Sequence, residues 1–98
     1  PTRGRLSRHQ RHHPYPTTVH LEADAPGYGH MLSITCPDRG GLLFEVAEVL
    51  MRNNVGVYTA KIDTLGERVE DTFLIRGEVL QDPAKTAALV AEVREVLK

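Results

Sequence analysis

The chain has 98 residues, 41% of them hydrophobic and 5% aromatic, with a formal net charge of −1. That length fits a single domain, and the near-neutral balance excludes a chain that binds nucleic acid through bulk charge. No apolar run approaches the ~20 residues of a membrane-spanning helix, and the single cysteine, Cys36, excludes an internal disulfide and fits a reducing, cytoplasmic setting.

The charge is unevenly spread. Arg3, Arg5, Arg8 and Arg11 stand in the first 14 residues with no acid, while the rest carries 8 Lys and Arg against 13 Asp and Glu. A mildly acidic domain, 17–98, therefore follows a basic segment, 1–16. That segment (PTRGRLSRHQRHHPYP) lacks a hydrophobic period and reads as a flexible arm or linker. His9, His12 and His13 have no nearby Cys or acid to complete a metal site, so no metal or other cofactor is expected. The chain opens on Pro1 rather than Met, which we read as a fragment or a processed product.

Thr17–Ala23 alternates Val19, Leu21 and Ala23 with polar residues, the pattern of a half-buried strand. A turn cluster, Asp24-Ala25-Pro26-Gly27-Tyr28-Gly29, leads to a second strand, His30–Pro37, with Leu32, Ile34 and Cys36 on one face. Asp38-Arg39-Gly40-Gly41 then opens a helix. Its apolar stripe is Leu42, Leu43, Val46, Ala47, Val49 and Leu50, and Asn53-Asn54 ends it, since Asn tolerates the left-handed conformation.

Val55–Leu65 is a third strand, β-branched and alternating. A tight Leu65-Gly66-Glu67 turn joins it to a fourth, Arg68–Arg76, which makes the pair an antiparallel hairpin. Asp82-Pro83 supplies an N-cap and a proline at the first helical position. Leu89, Val90, Val93, Val96 and Leu97 form the apolar face of that second helix. The order ββαββα predicts an α+β, ferredoxin-like sandwich: a four-stranded antiparallel sheet with two helices on one face. Apolar residues on the uncovered face would then call for a partner.

CPDRGGLLFEVAEVLMRNNVGVYTAKIDTLGERVEDTFLI resembles the ACT domain, a family whose members usually carry an acidic or polar residue followed by Arg-Pro-Gly-Leu-Leu between the first core strand and first helix. Ala60–Phe73 (AKIDTLGERVEDTF) is most similar to the subgroup at the C-terminus of the bacterial uridylyltransferase/uridylyl-removing enzyme that modifies the PII nitrogen-signal protein, and to plant and algal ACT-repeat proteins. The extra strand at Thr17–Ala23 suits that subgroup, in which an N-terminal strand replaces the last strand of the usual βαββαβ order. The resemblance covers residues 16–98. Gly40 departs from it, standing where the family usually has Pro.

Asp38–Leu43 is a strand-to-helix turn with Gly40 and Gly41, followed by Leu42 and Leu43. It leaves backbone N–H groups at a helix N-terminus, which readily receive a carboxylate. An amino acid offers a carboxylate to those groups and an ammonium to Asp38, with Arg39 beside them. The bland alternative is that Asp38 only caps the helix and the glycines only make the turn. The resemblance implies a ligand here, often at the interface with a second ACT domain. Amino-acid-binding relatives use polar side chains from the positions matching Cys36, Asp38 and Gly56. Cys36 and Gly56 give little polar grip, and Asn54, next to Val55 and two residues before Gly56, is placed to compensate.

The resulting expectation is a non-catalytic regulatory domain that binds an amino acid, glutamine by resemblance, and controls attached catalytic domains in nitrogen-metabolism signalling. It would work as a homodimer or packed on another ACT domain. The alternative is a ligand-free dimerisation or interaction module of the same fold. RNA binding would need two or three aromatics on the open face, where the strands offer Tyr58 and Phe73. Hydrolytic chemistry lacks a nucleophile–base set, since His20 and His30 have no Ser or Cys partner. Cys36 reads as a small buried hydrophobe or a redox-active thiol. Asp71 reads either as half of a buried ion pair with Lys61 or Arg68 or as a solvated edge residue.

Overall fold

The structure, a computed structural model, describes residues 16–23 and 29–98. All but Pro16 of the basic arm, and Asp24–Tyr28 of the first turn cluster, lie outside the described residues. The elements are β1 (Thr18–Ala23), β2 (His30–Pro37), α1 (Leu42–Arg52), β3 (Gly56–Leu65), β4 (Arg68–Arg76) and α2 (Pro83–Val96). The predicted ββαββα order is the one observed, and the four strands form one antiparallel sheet in the order β1-β2-β4-β3. This is a ferredoxin-like α+β fold. No described helix is long and apolar enough to cross a membrane.

Alternation sorts the strand residues between two faces. Val19, Leu32, Ile34, Cys36, Val69, Phe73 and Ile75 turn inward to the helices and are buried. In α1, Leu42, Val46, Val49 and Leu50 are buried, a spacing that places them on one side of a 3.6-residue helix. In α2, Leu89 and Val93 close the core, together with Leu97 just beyond its end. A short 3-10 turn, Glu78–Gln81, buries Leu80 beneath the start of α2; four residues are too few to show a period in sequence.

The helix ends follow their local chemistry. The Asp82 carboxylate accepts from the Ala84 and Lys85 amides at 2.9 and 3.2 Å, with Pro83 at the first helical position, as predicted. Asn54 ends α1 in the left-handed region, φ 58°, and the amides of Asn54 and Val55 donate back to the Met51 and Leu50 carbonyls. The helices are joined near that end. Glu92 accepts from the Arg52 guanidinium and, at 3.1 Å, from the Asn53 side-chain amide. Arg94 ties α2 to the sheet by donating to the Val19 carbonyl at 3.1 Å.

Two features depart from the sequence reading. The open face of the sheet is mainly polar, carrying Thr18, His20, Ser33, Thr35, Glu70, Thr72, Lys61 and Asp63, with Met31, Leu65 and Leu74 among its apolar members. The expected apolar face is therefore not the uncovered one. Apart from Leu65, the large exposed apolar side chains sit on α1, on the inward side of β3 and at its irregularity: Leu43, Phe44, Met51, Val57, Tyr58 and Ile62. The second departure is a register shift in β3 between Val57 and Thr59. It inserts Tyr58 as an extra residue, whose ring lies 4.8 Å from the Arg76 guanidinium. With the shift, Val57 joins Ala60, Ile62 and Thr64 on the helix side, where they stand opposite Ile75, Phe73, Asp71 and Val69. β3 is an edge strand beyond the helices, so its inward residues Val57 and Ile62 stay exposed.

Candidate functional site

The turn from β2 into α1 begins with the Asp38 amide donating to the Glu67 carbonyl at 2.7 Å, which pins the turn to the β3–β4 loop. Three residues on, Gly41 is the N-cap of α1 with φ 78° and ψ 2°, and no side chain caps the helix. A left-handed N-cap requires a residue that pays no steric penalty there, which accounts for glycine at this position. Asp38 does not cap α1, so the bland reading of that residue does not hold. The first-turn amides of α1 are thus left without a side-chain acceptor at the positive end of the helix.

These amides border an open cavity of about 220 Å³, several times the ~30 Å³ that one water occupies in the liquid. Asp38, Arg39 and the residues from Gly41 to Phe44 form its wall, and the sheet residues Ile62, Thr64, Val69 and Asp71 line it from below. A larger hollow of about 420 Å³ on the open sheet face, lined by Met31, Thr59, Thr72 and Leu74, has Lys61 as its one charged lining residue and brings no other ionisable group to it.

Asp71 is the unusual member. It is 2% exposed, the one buried charged residue among the described residues, and its Oδ1 has no hydrogen-bond partner. Burial raises its pKa above the ordinary carboxylate value, a backbone hydrogen bond from the Asp63 amide opposes that rise, and the Asp63 and Asp38 charges add to it. The ion pair considered from sequence is absent, and register explains why. Lys61 and Arg68 belong to the opposite face of the sheet, where Lys61 lies 3.8 Å from Asp63 and Arg68 3.3 Å from Glu70. The solvated-edge alternative also fails, because β4 is an interior strand.

The other site candidates divide into two groups. Arg39 is held by an ion pair with Glu45 and donates to the Lys98 carbonyl at 3.4 Å, so its charge is already engaged. Gly40 is exposed beside the cavity, and a Cβ there would meet nothing within 4 Å. Leu42 belongs to the core, while Leu43 is 44% exposed at the cavity wall. Cys36 is buried in the core behind the turn. Its thiol pKa is raised, first by burial and then by Asp71, with Arg39 opposing, so the reading as a small buried hydrophobe is the one the structure favours. Asn54, Val55 and Gly56 lie at the far end of α1, whose 11 residues span about 16 Å. Asn54 terminates the helix and Val55 is buried in the core. Within one chain these three residues do not meet Asp38–Leu43.

Among the described residues no cluster of three or more His, Cys, Asp or Glu could hold a metal ion.

No protein-family model matches the chain. It is similar to segments of curated proteins named bifunctional uridylyltransferase/uridylyl-removing enzyme. One, from Thiobacillus denitrificans, is 72% identical over 94 residues, covering 96% of this chain and 11% of the relative. Another, from Nitrosospira multiformis, is 46% identical over 97 residues, covering 99% of the chain and 11% of the relative. A third, from Ralstonia nicotianae, is 48% identical over 98 residues, with coverages of 99% and 11%. The chain spans about a tenth of the length of each of these relatives.

Proposed function

We propose that this chain is a cytoplasmic, non-catalytic regulatory module of the ACT type, which binds an amino acid, glutamine foremost, and passes that signal to catalytic domains that transfer and remove uridylyl groups. The observation that carries the reading is the cavity at the start of α1. Uncapped amides at a helix N-terminus suit a carboxylate, and the acidic residues Asp38 and Asp71, which line the same cavity, suit an ammonium. An α-amino acid carries both charges on adjacent atoms. The similarity to segments of uridylyltransferase/uridylyl-removing enzymes supports a place in nitrogen signalling, where glutamine is the metabolite that the ACT resemblance implies.

Regulation requires that the ligand favour one arrangement of the module and its neighbours over another. The exposed apolar residues of α1 and the free edge of β3 are the surface on which a second ACT-type domain would pack. That packing also offers a role to Asn54 and Gly56, which reach a ligand only if it is shared with a neighbour.

Thermal unfolding of the chain with each of the twenty amino acids at millimolar concentration tests the reading. Glutamine should raise the midpoint by several degrees, the size expected when ligand greatly exceeds its dissociation constant. No shift with any amino acid would overturn direct sensing. The second reading, a ligand-free interaction module, is favoured by Phe44 of α1 and Ile62 of the edge strand β3 both standing exposed. It predicts stable self-association that is indifferent to amino acids.

A further inference from the structure

We infer that Asp71, rather than the exposed Asp38, is the group that receives the ammonium of the bound ligand, so that the cavity reads α-amino acids through a buried carboxylate on β4 facing the amides of α1. The inference rests on the amino-acid reading above and deepens it.

The argument begins with the two oxygens of Asp71. The Asp63 backbone N–H serves this carboxylate, while Oδ1 is shielded from solvent and unpartnered. A buried carboxylate oxygen without a donor is costly, and a structural role met by the Asp63 amide does not account for it. The residue lines the cavity, and it is the one buried charged side chain among the described residues.

The neighbouring charges favour a cation. Asp38 and Asp63 both act on Asp71 as like charges, and the cation at the cavity wall, Arg39, is committed to Glu45. Lys61 and Arg68 lie on the other face of the sheet. A ligand ammonium would bring the positive charge that the cavity's interior lacks and would donate to the unpartnered oxygen. Asp38 is exposed, so water competes for any bond it makes, and an ion pair there is worth little. A carboxylate on the same ligand would point to the opposite wall, at the α1 amides. The cavity thus separates the two charges of a zwitterion between a strand and a helix end.

The test is titration calorimetry of the chain with glutamine and with 4-carbamoylbutanoate, which keeps the carboxylate and the side-chain amide but has no ammonium. Unmodified chain, Asp71→Asn and Asp38→Asn are compared. Asp71→Asn should weaken glutamine by about ten- to a hundred-fold, the range for a hydrogen bond to a charged group, and leave the desamino analogue unchanged or tighter. Asp38→Asn should weaken glutamine no more than about three-fold. A carboxyl NMR titration of Asp71 supplies a readout that a purely structural role would not move: its midpoint should fall when glutamine is bound. Circular dichroism checks that Asp71→Asn is folded, with Asp71→Ser as the second variant. If both Asp71 variants bind glutamine as the parent chain does, or the Asp71 midpoint ignores glutamine, the inference falls while the amino-acid reading stands. If the unmodified chain binds no amino acid, that reading fails, and the inference with it.

Discussion

Ile34 and Asp71 face each other across the two interior strands, β2 and β4, at exposures of 1% and 2%. A carboxylate therefore sits in a row otherwise made of aliphatic and aromatic side chains. Its raised pKa means that the folded chain holds the Asp71 proton more tightly than the unfolded chain does. Stability from this group is greatest below the ordinary aspartate value of 3.8. It falls as pH rises through the folded value and is constant above it. Asp71→Asn removes that slope. Urea unfolding across pH should show the variant more stable than the parent at neutral pH, on the order of 1 kcal/mol, with the gap closing in acid. A variant less stable than its parent at neutral pH would mean that the charge is compensated within the fold.

Glu92 predicts the opposite sign. Hydrogen bonds from Arg52 first, and then Asn53, lower its pKa below the ordinary 4.5. The clamp between the helices is at full strength above that value, and its contribution is lost as pH falls through the lower folded value. Glu92→Gln should be modestly less stable than the parent near neutrality, because the pair is partly exposed and screened, and should converge on it in acid. Parallel unfolding curves at neutral pH and pH 3 would check this; an unchanged gap at both would remove Glu92 from the account of acid sensitivity.

The local features of the fold were readable because each rests on neighbouring residues. Asp82-Pro83 starts α2 through its own capping bonds, Asn54 stops α1 through its own φ, and Gly66 (φ 70°) makes the β3–β4 turn. What stayed hidden depends on pairing. The extra residue at Tyr58 leaves no mark on composition, yet it decides that Val57 turns toward the helices along with Ala60 and Ile62. The surroundings of Asp71 follow from the register set at the Gly66 turn, which pairs Ile62 with Asp71 and sends Lys61 to the other face. The turn at Asp38–Leu43 was legible as a candidate site because its amides follow from strand, glycine and helix in succession. The separation of Asn54 from that turn is a matter of helix length, and any meeting between them needs a second domain that a single chain's pattern does not describe.

Gly29, at the entrance to β2, has φ 105°, and a Cβ there would lie 2.5 Å from the Ile75 carbonyl oxygen. Backbone on both sides leaves little to yield, since Ile75 is paired to β2 and buried. Gly29→Ala should therefore cost about 2 kcal/mol or more, from the unfavourable φ together with the clash. Gly40→Ala, whose Cβ would meet nothing within 4 Å, serves as the control and should be close to neutral. Equal midpoints for the two variants would show that the turn before β2 shifts freely.

Phe44 and Ile62 border the same cavity from the helix and from the edge strand, at exposures of 71% and 44%. A second copy packed along β3 would cover both and roof the cavity with the same surface. Association and ligand binding are then coupled, and each must strengthen the other by the same factor. Sedimentation equilibrium of the chain should show self-association that tightens when glutamine is added. Phe44→Glu places a charge at the joint and should weaken association by about ten-fold or more, while barely changing the unfolding midpoint because the side chain is already in solvent. It should also weaken glutamine, although it removes no polar contact to it. Association that is strong but unaffected by glutamine would favour the interaction module over the sensor. Glutamine binding that survives Phe44→Glu unchanged would place the whole ligand site within one copy.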